Sequence, residues 1–226
     1  MADSSNYRIQ SFPAGSTVAI TLGMNSSTNR LGQTRDLHVD LNNNVYITDS
    51  DYNQIVKYVP FNLIGIVIAP TNGSGSGANQ LLSPFGSFID VNQTVYIADR
   101  GNHRIQMWPA GATSGITVAG VTSTSGSSLT RLSSPNAVVV DNNGYIYVAD
   151  AGNNRIVKWT TNYTAGGVCI VGCSGVAGTG ANQLNGVRDL KFDSHGNLYV
   201  TDQSNHRIQK FIIQMPPSAC PTSKYS

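Results

Sequence analysis

Five aspartates recur along this chain at near-constant spacing, each beside residues that could do chemistry with it. They are Asp3, Asp49, Asp99, Asp150 and Asp202, separated by 46, 50, 51 and 52 residues. Five positions after each stands Arg8, Gln54, Arg104, Arg155 or Arg207. A carboxylate and a guanidinium so placed can form an ion pair, and the carboxylate can also accept backbone N–H groups of the loop between them. At Asp49 the arginine is replaced by Gln54, so the ion pair is lost there. A second aspartate, Asp40, Asp90, Asp141 or Asp193, precedes the first by nine residues in four of the copies. All 12 acidic residues are aspartate, and the histidines are four: His38, His103, His195 and His206.

The stretches holding these pairs are copies of one another. They read NVYITDSDYNQIVKY (44–58), TVYIADRGNHRIQMW (94–108), YIYVADAGNNRIVKW (145–159) and NLYVTDQSNHRIQKF (197–211). A fifth, MADSSNYRIQSF, opens the chain inside the motif. Self-similarity at about 40–50 residues, with several strands per unit, is the signature of propeller blades. One unit reads as four strands: SPFGSFIDV, TVYIAD, HRIQMW and GITVAG. The first two are joined by a tight turn, Asp141-Asn142-Asn143-Gly144 or Asp193-Ser194-His195-Gly196, with Asn expected to replace the Gly in LNNNV and VNQTV. In D-x-x-N-x-R the Asn tolerates the left-handed conformation. Tyr46, Tyr96, Tyr147 and Tyr199 on the second strands predict blade-to-blade packing. So do Ile9, Ile55, Ile105, Ile156 and Ile208 on the third, with the aromatics Phe12, Tyr58, Trp108, Trp159 and Phe211 three residues on. Between blades run Gly/Ser/Asn-rich segments that read as flexible connectors; GSGSGANQ has glycines but no lysine and no following helix, so it does not cradle phosphate.

Composition supports an all-β chain. With no Glu, 23 Gly and 9 Pro, good helix formers are scarce and turn formers abundant. A net charge of +2 gives no global attraction to nucleic acid or anionic lipid. No apolar run approaches the roughly 18 residues a membrane helix needs, and no signal peptide follows Met1. Four N-x-S/T sequons, Asn25, Asn72, Asn92 and Asn162, lean towards an extracellular setting and are candidate glycosylation sites. Of three cysteines, Cys169 and Cys173 are about 13 Å apart on a straight strand. A turn at Gly172 brings them within bridging distance; without it they are two inert thiols. Cys220 lies in the tail 214–226, which reads as disordered.

The pattern P-x-x-ϕ-x-ϕ-D followed by G-N-L-Y-V-x-D-x-x-N-H-R-I-Q resembles the NHL-repeat family. The resemblance divides the chain into a partial repeat (1–22), four repeats (30–69, 80–120, 130–172 and 183–213) and the tail. It implies four full four-stranded blades plus a half blade of a propeller that in this family is six-bladed, and so a fragment of a longer protein whose further blades or domains are missing here. The last repeat shows no recognisable fourth strand, and Thr17–Leu22 could fill that place if the chain closed on itself.

Function follows from what varies inside this frame. Residues opening the first strand differ between copies: Arg35-Asp36, Phe85-Gly86, Asn136-Ala137 and Arg188-Asp189. Arg35, Asp36, Phe85, Asn136, Arg188 and Asp189 are therefore the candidate ligand-binding rim, the alternative being solvated charge. The resemblance implies a non-enzymatic scaffold binding protein, peptide or glycan, with no metal or cofactor. Resemblance to the propellers of tripartite-motif proteins implies single-stranded RNA instead, read by Arg30, Arg35, Arg131 and Arg188, with Asp36 and Asp189 diluting the field. Resemblance to the amidating lyase of hydroxyglycine-extended peptides implies a zinc held by several axial histidines. Only His38 lies on an inner strand, with Phe88, Val139 and Lys191 as its counterparts, so that activity is not expected. A lactonase-like calcium site would want Glu among its ligands, and none is present.

Overall fold

The computed structural model describes residues 2–12, 14–24, 31–60, 62, 64–70 and 72–213. Asn25, Arg30 and the tail 214–226 with Cys220 lie outside them. Strands gather into five sheets, each in simple sequential order. The first holds β1 (Ala2–Asp3), β2 (Arg8–Ser11) and β3 (Ile20–Met24); the second, β4 (Thr34–Val39), β5 (Val45–Asp49), β6 (Gln54–Tyr58) and β7 (Ile66–Ala69). The third holds β8 (Ser87–Ile89), β9 (Val95–Asp99), β10 (Arg104–Trp108) and β11 (Ile116–Gly120). The fourth holds β12 (Ala137–Val140), β13 (Ile146–Asp150), β14 (Arg155–Trp159) and β15 (Gly167–Val171); the fifth, β16 (Val187–Phe192), β17 (Asn197–Asp202) and β18 (Arg207–Ile212). The only helix among the described residues is in three-residue 3-10 turns, as the composition predicts.

Two compact units result: the residues up to Gly101 with Met107–Ile116, and Asn102–Gln106 with the residues from Thr117 on. In the first unit Ile9, Leu31, Ile47, Val56 and Tyr58 form one core cluster. Tyr46, Ile55, Ala69, Leu81, Ile89, Val95, Ile97 and Trp108 form another. In the second unit Tyr147 packs edge-on against Phe192 at 4.9 Å, and Ile156, Trp159, Leu184 and Leu198 are buried. The repeat isoleucines behave as expected except the last: Ile9, Ile55, Ile105 and Ile156 are at most 1% exposed, whereas Ile208 is 70% exposed. Phe12 is also exposed, unlike Tyr58, Trp108 and Trp159. Ile208 lies in the last strand, β18, and Phe12 follows directly on β2 of the first sheet.

Local geometry departs from the sequence reading in three places. In the loop after each second strand the left-handed residue is the fourth after the aspartate: Tyr7, Asn53, His103, Asn154 and His206, all with φ of 50–57°. Only in the Asp49 copy is it the Asn of the loop; elsewhere the Asn precedes it or, as with Asn154, it is a second one. The hairpin of VNQTV puts Gln93, not an Asn, at positive φ, while LNNNV uses Asn43 as expected. Two connectors also fold back on themselves. In both GANQL segments a glutamine folds back on its own loop: Gln80 Oε1 accepts the Gly77 N–H at 3.1 Å, and Gln183 Oε1 the Gly180 N–H at 3.1 Å.

Cys169 and Cys173 are disulfide-bonded, with Cα atoms 5.6 Å apart. The turn that joins them is made at Gly172 (φ +70°), where a Cβ would clash with the Asn154 carbonyl oxygen. Gly120 (φ +82°) meets the His103 carbonyl in the same way.

These burials fix an expectation for stability. Ile156→Ala removes a fully buried side chain and should cost about 2–5 kcal/mol, whereas Ile208→Ala should cost under about 1 kcal/mol. Denaturant midpoints of the two variants compare them directly, and equal losses would mean that Ile208 is covered in solution.

Candidate functional site: the openings of the first strands

Four of the repeat aspartates hold the entry to the first strand of their sheet. Asp49 accepts the Gly32 N–H at 2.8 Å, Asp99 the Leu82 N–H at 2.7 Å, Asp150 the Ser133 N–H at 2.7 Å and Asp202 the Asn185 N–H at 2.6 Å. The captured residue is 17 positions earlier in every case. The N–H that follows is captured from the preceding repeat, by the left-handed residue of its loop. Asn53 Oδ1 takes the Ser83 N–H at 2.6 Å, His103 Nδ1 the Ser134 N–H at 3.0 Å, and Asn154 Oδ1 the Gly186 N–H at 3.2 Å. After Gly32, by contrast, the Gln33 N–H goes to Asp51 of the same repeat at 2.9 Å. In the other three repeats two successive N–H groups are thus fixed, one by the repeat's own aspartate and one by its neighbour. Two residues further on come Phe85, Asn136 and Arg188.

The arginines complete the clasp. Arg155 Nε donates to Asp150 at 2.8 Å, and its Nη groups reach the carbonyls of Ser127, Ser128 and Arg131. Arg207 repeats this with Asp202 at 2.7 Å and the carbonyls of Thr179, Gly180 and Gln183. Arg104 is buried and donates to Thr122. At Asp49 the missing ion pair leaves a weak contact from Gln54 at 3.4 Å. Burial pushes the Asp150 carboxyl up, against hydrogen bonds from Asn153, Ser133 and Arg155. Burial also raises Asp202, but bonds from Asn205, Asn185, Arg207 and Gln209 outweigh it and hold that carboxyl below its ordinary value.

The predicted rim residues divide between the two units, with Arg35, Asp36 and Phe85 in the first and Asn136, Arg188 and Asp189 in the second. Both Arg-Asp pairs sit at register shifts, between Thr34 and Asp36 and between Val187 and Leu190. Such a bulge re-aims the side chains it carries. Two of the six predicted residues serve structure. Asp36 accepts the N–H of Leu37 and, from the next repeat, that of Ser87 at 2.8 Å. Asn136 Nδ2 donates to the Val187 carbonyl at 2.8 Å. Asp189 accepts the Leu190 N–H and lies 4.0 Å from Lys191.

Arg35 and Phe85 do come together, with the Arg35 Cζ 5.3 Å from the ring centroid. A residue that the sequence reading missed joins them: Arg100 Cζ lies 5.9 Å from the same centroid. Its counterparts, Ser50, Ala151 and Gln203, carry no charge, and that difference within the repeat is the signal that could have found it. His38 packs edge-on to Phe88 with centroids 6.0 Å apart. Among the described residues no three His, Cys, Asp or Glu side chains group as metal ligands. No helix there is long and apolar enough to cross a membrane. Asn72, Asn92 and Asn162 are exposed.

Sheets of three or four antiparallel strands joined in this way are propeller blades. The NHL repeat profile matches residues 132–159 and 184–211. NHL repeat-containing protein 3 of Homo sapiens is 32% identical over 101 residues, which is 42% of this chain and 28% of that protein. A streptogramin B lyase structure superposes with a TM-score of 0.63 at 14% identity, over 95% of this chain and 65% of its own. A chain of the nidogen/laminin complex gives 0.66 at 17% identity, over 90% and 66%. Two segments of the chain thus match NHL repeats on a β-propeller fold, and the chain spans less than a third of the human relative.

Two outcomes test the clasp. Asp150→Ala should cost about 1–3 kcal/mol through unpaired loop donors and an unpaired Arg155, and Asp49→Ala less, because no buried arginine is stranded. Chemical denaturation of both variants measures the difference. The lowered Asp202 contributes stability that is present above its unfolded pKa and lost as pH falls through its folded one, below about pH 4. Asp202→Asn should therefore flatten the acid limb of a stability–pH curve; Asp150, being raised, carries the opposite sign.

Proposed function

We propose that this chain is a non-enzymatic interaction module that presents the openings of its first strands to a protein partner. The observation that carries the reading is the double capture of successive N–H groups just before Phe85, Asn136 and Arg188. It holds a variable residue at a fixed point on a repeated frame. A binding face needs that combination of rigid support and local difference. The aspartates that could have served as acids or bases are engaged instead by backbone donors and arginines, which suits a scaffold better than a reaction centre. The general use of NHL propellers as interaction scaffolds agrees, and the nidogen/laminin structure is a complex between proteins. For RNA, stacking would need open aromatic faces, and the rim ring Phe85 is already covered by two guanidinium groups.

A double Arg35→Ala, Arg188→Ala variant should keep its melting temperature within a few degrees while losing capture of the partner. The measurement is affinity capture on immobilised wild type and variant, with bound species identified by mass spectrometry and re-measured pairwise. Capture of the same protein by both forms, or enrichment of RNA alone, would overturn the reading.

A further inference from the structure

We propose that Arg35 and Arg100 form a carboxylate-binding fork that takes an acidic segment of a partner protein; the assignment rests on the rim reading above and names its chemistry. Both guanidinium groups lie over the one ring of Phe85, at 5.3 and 5.9 Å. Ring contact restrains each side chain without using its N–H groups as hydrogen-bond donors. Arg35 uses Nε on Ser50 Oγ at 3.1 Å. Neither arginine has a carboxylate partner among the described residues, unlike Arg8, Arg155 and Arg207, which are ion-paired.

The carboxylates of the surrounding segments are turned to the backbone. Asp36 accepts from Leu37 and Ser87, Asp49 from Gly32, Asp51 from Gln33 and Asp99 from Leu82. Each of these carboxylates takes a backbone N–H, and among the described residues two cations share one ring without a matching anion. Arg35 and Phe85 occupy the same position in successive repeats, so the pairing requires a blade junction. Arg100 follows the aspartate that anchors the strand entry of Phe85. The constellation occurs once: the next repeats have Asn136 and Arg188 at the first position, and Ala151 and Gln203 at the second.

Two forks on one apolar plate suit a pair of Asp or Glu carboxylates, each taken bidentately. A nucleic-acid backbone would call for a longer run of cations and a free ring face. A peptide places acidic side chains at successive positions beside aliphatic ones, and those can rest on the edge of Phe85.

The arginine Nε–Hε signals of ¹⁵N-labelled protein, assigned with Arg35→Lys and Arg100→Lys variants, report binding directly. The probes are a capped Glu-rich octapeptide, its Gln-for-Glu analogue, inorganic phosphate and oligouridylate. The Glu peptide should shift both signals saturably and the Gln analogue neither, with Arg35→Gln and Arg100→Gln each weakening binding about tenfold while the backbone amide spectrum stays unchanged. Equal or tighter binding of phosphate or oligouridylate at these signals would overturn the assignment, as would shifts spread evenly over all arginines. If the captured partner survives Arg35→Gln/Arg100→Gln but is lost with Arg188→Ala, the fork falls and the rim reading stands. If none of these substitutions affects capture, the rim reading itself falls.

Discussion

Everything at the rim depends on one hydrogen bond, from the N–H at the entry of a first strand to an aspartate at the end of the second strand. A β-strand has no intrinsic reason to begin at a given residue, because the ladder can slip or fray. Here a buried carboxylate takes Gly32, Leu82, Ser133 or Asn185 at 2.6–2.8 Å. A charged acceptor makes a stronger bond than a neutral one and is costly to leave unpaired once buried. The aspartate therefore sets where the inner strand starts. The arginine that neutralises it also gathers the carbonyls of the incoming connector, so one ion pair closes two loops.

The second capture couples this to the neighbouring repeat. A side chain can reach out of a loop to a neighbour's backbone only if the loop aims it outward, and the left-handed residue does so. Asn53, His103 and Asn154 share that backbone conformation and that task, although one is an imidazole. A short side chain with an acceptor near its Cβ is what the position requires. Neighbouring repeats are thereby joined by directed polar contacts as well as by apolar packing, which helps set their register.

A frame locked in this way can vary at the point it leads to. Arg35 and Arg188 sit at strand irregularities, where the ladder constrains side-chain direction least. Charge at those points is available for recognition where it is not consumed by the frame. That distinction separates Arg35 and Arg100 from the clasped Arg155 and Arg207, and it removes Asp36 and Asn136, whose groups bind the next repeat.

The sequence by itself determined the repeat, its period, the all-β class, the strand order and the pairing of Asp150 with Arg155 and Asp202 with Arg207. Those depend on separations of a few residues within one unit, and such separations are printed in the chain. It also showed which positions vary. Only the tertiary structure decided what variable positions such as Asp36 and Asn136 do, because their partners lie in the next repeat, 51 residues away. Arg100 is invisible as a partner of Phe85 until the loop after Asp99 folds back beside the strand entry. The bridge between Cys169 and Cys173 likewise waited on a turn at Gly172 that a straight strand would not make. Short-range spacing fixes hydrogen-bond partners along one sheet; which charges remain unpaired depends on how neighbouring sheets meet.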